Sequence, residues 1–257
     1  MRRVLGCLLA LAGFAFATPA QAFVGFPDQG SLQADQKLVN RLRADENAIA
    51  LSPNHEALGF RLATRDEQAI VYRLASDPEL ETAIMPELPP ALATALSDGI
   101  QGLRALYRLA QVDYSEIHPR FNRPLATPAG LSDLVAYYQG AGGPYRIDWT
   151  YLASINFIES DFGRVMGPSS AGALGPMQFM PATWSNYGNG GDVMSPHDAI
   201  YAAARYLVHY GAPGNMPSAI WHYNHDDDYV AAVSLFASLM RRDQAWLTRL
   251  YVWSTSE

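Results

Sequence analysis

The chain has 257 residues, of which 49% are hydrophobic and 17% charged. That length suits one or two domains and the apolar content suits a real core, so a disordered tail is excluded; with 20 Gly and 17 Pro, so are collagen-like and low-complexity classes. Eighteen basic against 25 acidic side chains give a net charge of −7 without a basic stripe, which argues against nucleic acid, since phosphate binding needs clustered Lys and Arg.

At the start, Arg2 and Arg3 precede an apolar run from Leu5 to Phe16. Ala20-Gln21-Ala22 then gives the small-x-small pattern that signal peptidase reads. Residues 1–22 are therefore expected to be a secretory signal cleaved before Phe23, giving a secreted or periplasmic protein. The apolar run is shorter than the ~20 residues a membrane-spanning helix needs, and no later stretch reaches that length. Cys7, the single cysteine, lies within the signal without the preceding apolar run that lipid attachment requires. The mature chain then has no disulfide, and its stability must come from packing. Losing Arg2 and Arg3 leaves 16 basic and 25 acidic residues, a net of −9.

The remainder reads as helices. Alternating β-branched runs are almost absent, while apolar residues recur with a period near 3.6. Residues 31–50 carry Leu32, Leu38, Val39, Leu42 and Ile49 among charges. Asp66 precedes Ile70, Val71 and Leu74. Leu92, Leu96, Leu103, Leu106 and Leu109 mark a helix within 88–109, which the cluster Pro86, Pro89 and Pro90 would start rather than interrupt. Residues 118–130, with Pro119, Pro124, Pro128 and Gly130, read as a linker. The expected organisation is an N-terminal helical region over 23–127 and a second domain over 128–257. In the second part, a helix from Leu131 to Gln139 should stop at Gly140. Asp148 should N-cap a helix through Phe162. Shorter helices are expected near 181–187, 197–210, 217–223 and 227–242. The fold class is all-α.

Glu159 is the first candidate for chemistry. At 100° per residue it shares a face with Leu152 and Ile155, the face an amphipathic helix buries. A carboxyl at the end of an apolar stripe has its charged form disfavoured, so its pKa rises. A carboxylic acid still protonated near neutral pH can donate to a leaving oxygen. Asp161 lies about 200° round and does not share that face. An isolated glutamate of this kind more often forms a structural ion pair, but the residues C-terminal to Glu159 change that reading. The small residues of Ser169-Ser-Ala-Gly-Ala173 allow close backbone approach to a ligand. Gln178 offers both donor and acceptor. Tyr223-Asn224 closes a short helix.

Three ordered pieces resemble the lytic transglycosylases of the goose-type lysozyme-like superfamily. Glu159-Ser160-Asp161-Phe162-Gly163 is similar to their catalytic Glu-Ser-x-Phe motif. Ser169-Ser-Ala-Gly-Ala-Leu-Gly-Pro-Met-Gln178 is similar to their Ser-x-x-Gly-Ala-x-Gly-x-Met-Gln loop. Tyr223-Asn224 is similar to the third motif, usually Ala-Tyr-Asn, with His222 here in place of Ala. The resemblance covers roughly 131–241; residues 23–127 carry no such motif.

It implies a lysozyme-like α domain with an N-terminal helical extension, acting on peptidoglycan glycan strands. The bond cut would be the β-1,4 link from N-acetylmuramic acid to N-acetylglucosamine, with Glu159 as general acid and then base and a 1,6-anhydro product. Ser169 and Gln178 would hold sugar substituents, the Met177 side chain and the backbone near it would line the groove, Tyr223 would sit against Glu159, and Asn224 would fix local geometry. The alternatives are a goose-type hydrolase that uses water, and a non-catalytic sugar-binding scaffold. Trp184, Tyr187, Trp221 and Tyr229 are able to stack on sugars, although core packing is the favoured reading for Trp184 and Trp221. Asp226-Asp227-Asp228 lacks the alternate spacing, Gly and closing Glu of a calcium loop and more simply starts a helix. The His positions form no ligand spacing either, so neither metal nor cofactor is expected.

Overall fold

Local signals place most helix ends in the computed structural model, which describes residues 32–111 and 126–253. The expected signal peptide and most of the expected linker lie outside the described residues. Helix α1 spans Leu32–Leu51 and α2 Leu58–Ser76. Asp77 N-caps the short α3, Pro78–Ile84, its side chain accepting from the Leu80 amide. The proline cluster is divided. Pro86 sits in a 3-10 turn, Met85–Glu87, and Pro90 is the first residue of α4, Pro90–Ala110, where its missing N–H costs nothing.

Beyond the linker, α5 runs Leu131–Gly142 and does not stop at Gly140. Its glycines serve packing. A Cβ on Gly140 would lie 2.3 Å from the Tyr201 hydroxyl, and one on Gly142 2.6 Å from the Ile147 carbonyl. Asp148 caps α6, Trp149–Ser160, by accepting from Thr150 N–H. Then come α7 (Pro181–Tyr187), α8 (Pro196–His209), α9 (Met216–Tyr223) and α10 (Asp227–Arg242). The triple-Asp run starts α10: Asp226 caps it, with Asp227 and Asp228 at its positive end. A final helix, α11 (Ala245–Trp253), has no counterpart in the sequence reading.

The described residues hold no strand, only one antiparallel bridge between Leu174 and Phe179. The layers meet on α10, which packs against α4 on one side and α6 on another; α5 lies on α8 and α6, and α11 on α2 and α6. Gly102 of α4 lets the Phe236 ring of α10 approach so closely that a Cβ would be 2.9 Å away. One apolar core runs from Leu42 and Ile70 through Leu103 and Phe236 to Ile155 and Leu207, spanning both sides of the expected 127/128 boundary. Helix α6 is its axis: all but two of its twelve residues are buried. The sequence reading of α6 as amphipathic is therefore corrected. With helices all round it, α6 has no solvent face, and Glu159 is buried with the rest.

Candidate active site

At its C-terminus α6 turns sharply. Asp161 and Phe162 both take left-handed conformations (φ 55° and 58°), followed by Gly163 at φ 91°. The Asp161 and Phe162 amides bond back to the Phe157 and Asn156 carbonyls, satisfying the last turn. Left-handed backbone is costly for residues with a Cβ, and buried contacts hold it here. Ser160 Oγ accepts from Gly163 N–H at 2.8 Å and donates to the Pro176 carbonyl at 2.5 Å. Asn156 Nδ2 donates to that same carbonyl at 2.8 Å, and Tyr138 donates to Asn156 Oδ1 at 2.6 Å. These bonds tie the Gly-rich loop to α6, immediately beside Glu159.

The loop has its own constraints. Ser169 Oγ accepts from Ala173 N–H, closing the turn over 169–173 and leaving its hydroxyl hydrogen to donate elsewhere. Gly175, at φ 74°, faces the Val193 carbonyl at a distance where a Cβ would overlap it (2.0 Å). Gln178 takes φ 48° and turns its Nε2 to the Gly175 carbonyl at 2.9 Å.

The Glu159 carboxyl is 1% exposed. Oε1 accepts from the Tyr229 hydroxyl at 2.6 Å, while Oε2 is buried without a hydrogen-bond partner. Burial pushes its pKa to about 8, with the Tyr229 hydrogen bond pulling weakly the other way. No other carboxylate contributes to that shift among the described residues. The acid is therefore protonated at neutral pH. Because Oε1 already receives a hydrogen, the proton belongs on Oε2.

The Tyr223 ring lies almost parallel to Tyr229 (7°, centroids 6.4 Å apart), and its hydroxyl donates to the Met177 carbonyl at 2.8 Å. The two distant motifs thus meet around Glu159, with three departures from the sequence reading. Tyr229, not Tyr223, supplies the hydrogen bond to the acid. The Met177 side chain is fully buried, and its carbonyl accepts from the Tyr223 hydroxyl. Trp221 is 38% exposed rather than packed in the core, whereas Trp184 packs against it. Asn224 ends α9 at 7% exposure, its Nδ2 without a partner. Spacing could not reveal Tyr229, which stands 70 residues from Glu159. Its one local signal is its place in the turn that opens α10.

Residues 136–232 match the family model of the transglycosylase SLT domain. The matched span takes in Glu159, the Gly-rich loop, Tyr223-Asn224 and Tyr229. No curated protein and no solved structure matches the chain. The segment from α5 into α10 is thus similar to the transglycosylase SLT domain. Helices α1–α4 and α11 lie outside the match.

Proposed function

We propose that the chain is a lytic transglycosylase, cutting the β-1,4 bond from N-acetylmuramic acid to N-acetylglucosamine with Glu159 as its one catalytic carboxyl. The observation that carries the reading is the Glu159 carboxyl itself: buried, protonated at neutral pH, held at Oε1 by Tyr229, with Oε2 unpartnered. Glu159 Oε2 donates its proton to the glycosidic oxygen, and the C1–O bond breaks through an oxocarbenium-like state. Ordinary glycosidases manage that charge with a second carboxylate. Here the environment of Glu159 contains no such group among the described residues, which favours stabilisation by the substrate's own 2-acetamido group. The ionised Glu159, stabilised by the Tyr229 hydroxyl, then takes the proton from the muramoyl C6 hydroxyl. That oxygen closes on C1, leaving a 1,6-anhydro end without consuming water.

Ser169, Gln178, Tyr223, Asn224 and the Met177 carbonyl are proposed to shape the sugar-binding surface. Substrate reaches Oε2 only by displacing the groups that cover it. Secretion to the periplasm or beyond is the location that the substrate and the signal pattern at 1–22 support; no helix among the described residues is long and apolar enough to cross a membrane.

The test is mass spectrometry of digested peptidoglycan. The reading expects 1,6-anhydromuramoyl ends; reducing ends would instead assign a water-using hydrolase. Unchanged zymogram clearing by Glu159→Gln would remove Glu159 from the mechanism.

A further inference from the structure

The chain reverses direction just after the acid, and Arg164 stands where it comes back. The Arg164 side chain is buried. Its amide donates to the Asp161 carbonyl at 3.2 Å, and its Nη1 donates to the same carbonyl at 3.2 Å. Nη2 donates to the Tyr251 carbonyl of α11 at 3.0 Å. The guanidinium lies over the Tyr251 ring, 4.5 Å from its centroid. The Arg164 carbonyl accepts from Ala126 N–H at 2.8 Å. Tyr251 extends the clamp: its ring meets Phe162 at 5.8 Å, and its hydroxyl donates to the Ala129 carbonyl at 3.1 Å, just ahead of α5.

Two consecutive left-handed residues with side chains, Asp161 and Phe162, persist only where their surroundings over-determine them. A guanidinium suits that task. Its rigid fork reaches two carbonyls at once while its face stacks on an aromatic ring, which an ammonium cannot do together. The buried Asp161 carboxyl, 3.9 Å from Nη1, supplies the opposite charge. This cluster does not act on Glu159 through charge, since neither Arg164 nor Asp161 contributes to the shift of that acid. What it governs is where α6 ends, and so how well water is kept from Glu159, whose burial is what retains the proton. Tyr251 lies outside the matched span of 136–232, so residues of that span do not hold the turn alone.

We propose that Arg164 and Tyr251 are positioning residues, which together lock the turn after α6 so that the Glu159 carboxyl stays dry and in place for proton transfer; α11 is thereby part of the machinery of cleavage. This rests on the glycan-cleaving reading above.

The experiment compares the chain from Phe23 onward with Arg164→Lys, Tyr251→Leu and, as a stability control elsewhere in the core, Leu96→Ala in α4. Cleavage of soluble glycan strands is followed against pH. Arg164→Lys keeps the buried charge but loses the fork. Its kcat should fall at least about tenfold with KM changed less than about twofold. The alkaline limb of kcat/KM should move about one pH unit lower, because water that reaches Glu159 releases its proton earlier. Tyr251→Leu should shift the limb in the same direction by less. Leu96→Ala should leave the limb in place even where it lowers Tm as much. Carboxyl titration of the 13C-Glu-labelled protein, with Glu159→Gln identifying the signal, should report the same downward shift without substrate. Should Arg164→Lys not fold, Tyr251→Leu decides by the same two readings. A limb and a carboxyl titration unmoved in the folded variants overturn the proposal and leave the clamp as support for the fold only. Because the titration needs no cleavage, a protein that cuts no glycan fails the earlier reading while the clamp is still judged.

Discussion

Burial and one hydrogen bond set the behaviour of Glu159 in opposite directions, and each is separately testable. Glu159→Gln keeps the shape but removes the proton, so strand cleavage should fall at least about a thousandfold, with Tm preserved. Tyr229→Phe removes the one contact that lowers the Glu159 pKa. The acid form should therefore persist to higher pH, moving the alkaline limb of the kcat/KM profile upward. The later base step, which needs the ionised form, should lose roughly tenfold to a hundredfold in kcat. A pH–rate series on the two proteins reads both effects. If the limb stays in place, Tyr229 merely packs against the acid.

Among the elements, the loop from 169 to 178 and helix α6 depend on each other. Gly175→Ala would place a Cβ on the Val193 carbonyl at a backbone angle that resists side chains. It should cost several kcal/mol and abolish activity, seen as a drop in Tm together with lost zymogram clearing. Asp148→Ala removes the α6 N-cap and the partner of Arg241. It should cost about 1–2 kcal/mol in denaturant unfolding, mostly through the cap, because the ion pair is largely exposed. Cleavage should survive in the folded fraction, since the change lies at the opposite end of the helix from Glu159.

Across the whole molecule, α1–α4 belong to the same core as the segment that matches the family model. Helix α10 carries Tyr229 and is packed by α4 along its length, with Arg108 of α4 paired to Asp228 beside it at 2.7 Å. Removing residues 32–111 should expose that face of α10 and give an aggregated, inactive protein in size-exclusion chromatography. The N-terminal helices also bring acids together. Arg249 of α11 meets Glu46 and Glu67 at 2.5 and 2.6 Å through one nitrogen. Burial, with Glu46 close by, raises Glu67 to about 8 against the pull of Arg249. Burial and Asp66 raise Asp45 to about 7. With Glu159, three acids keep protons in the folded state that the unfolded chain releases near pH 4. Stability should therefore be greatest in mild acid and decline as pH rises toward 8, as these acids give up their protons in the folded state. Glu67→Gln should flatten the upper part of a Tm-against-pH curve; an unchanged slope would show that Glu67 does not hold its proton.

The amino-acid sequence by itself settled the helical class, the start of α10 at its Asp run and the Asp148 cap, and it singled out Glu159 with its loop and Tyr-Asn companions. Each rests on short-range chemistry: periodicity, a cap two residues from its amide, a motif whose members are close in sequence. Only the tertiary structure decided that α6 is buried on every side, that α5 runs on through its glycines, that α11 exists, and that Tyr229 holds the acid in place of Tyr223. It also put Trp221 on the surface and the Met177 side chain inside. Those outcomes depend on which helix lies across from which. A Cβ absent at Gly140 or Gly102 becomes meaningful only once Tyr201 or Phe236 is opposite it, and a glutamate becomes a neutral acid only when packing has removed its water.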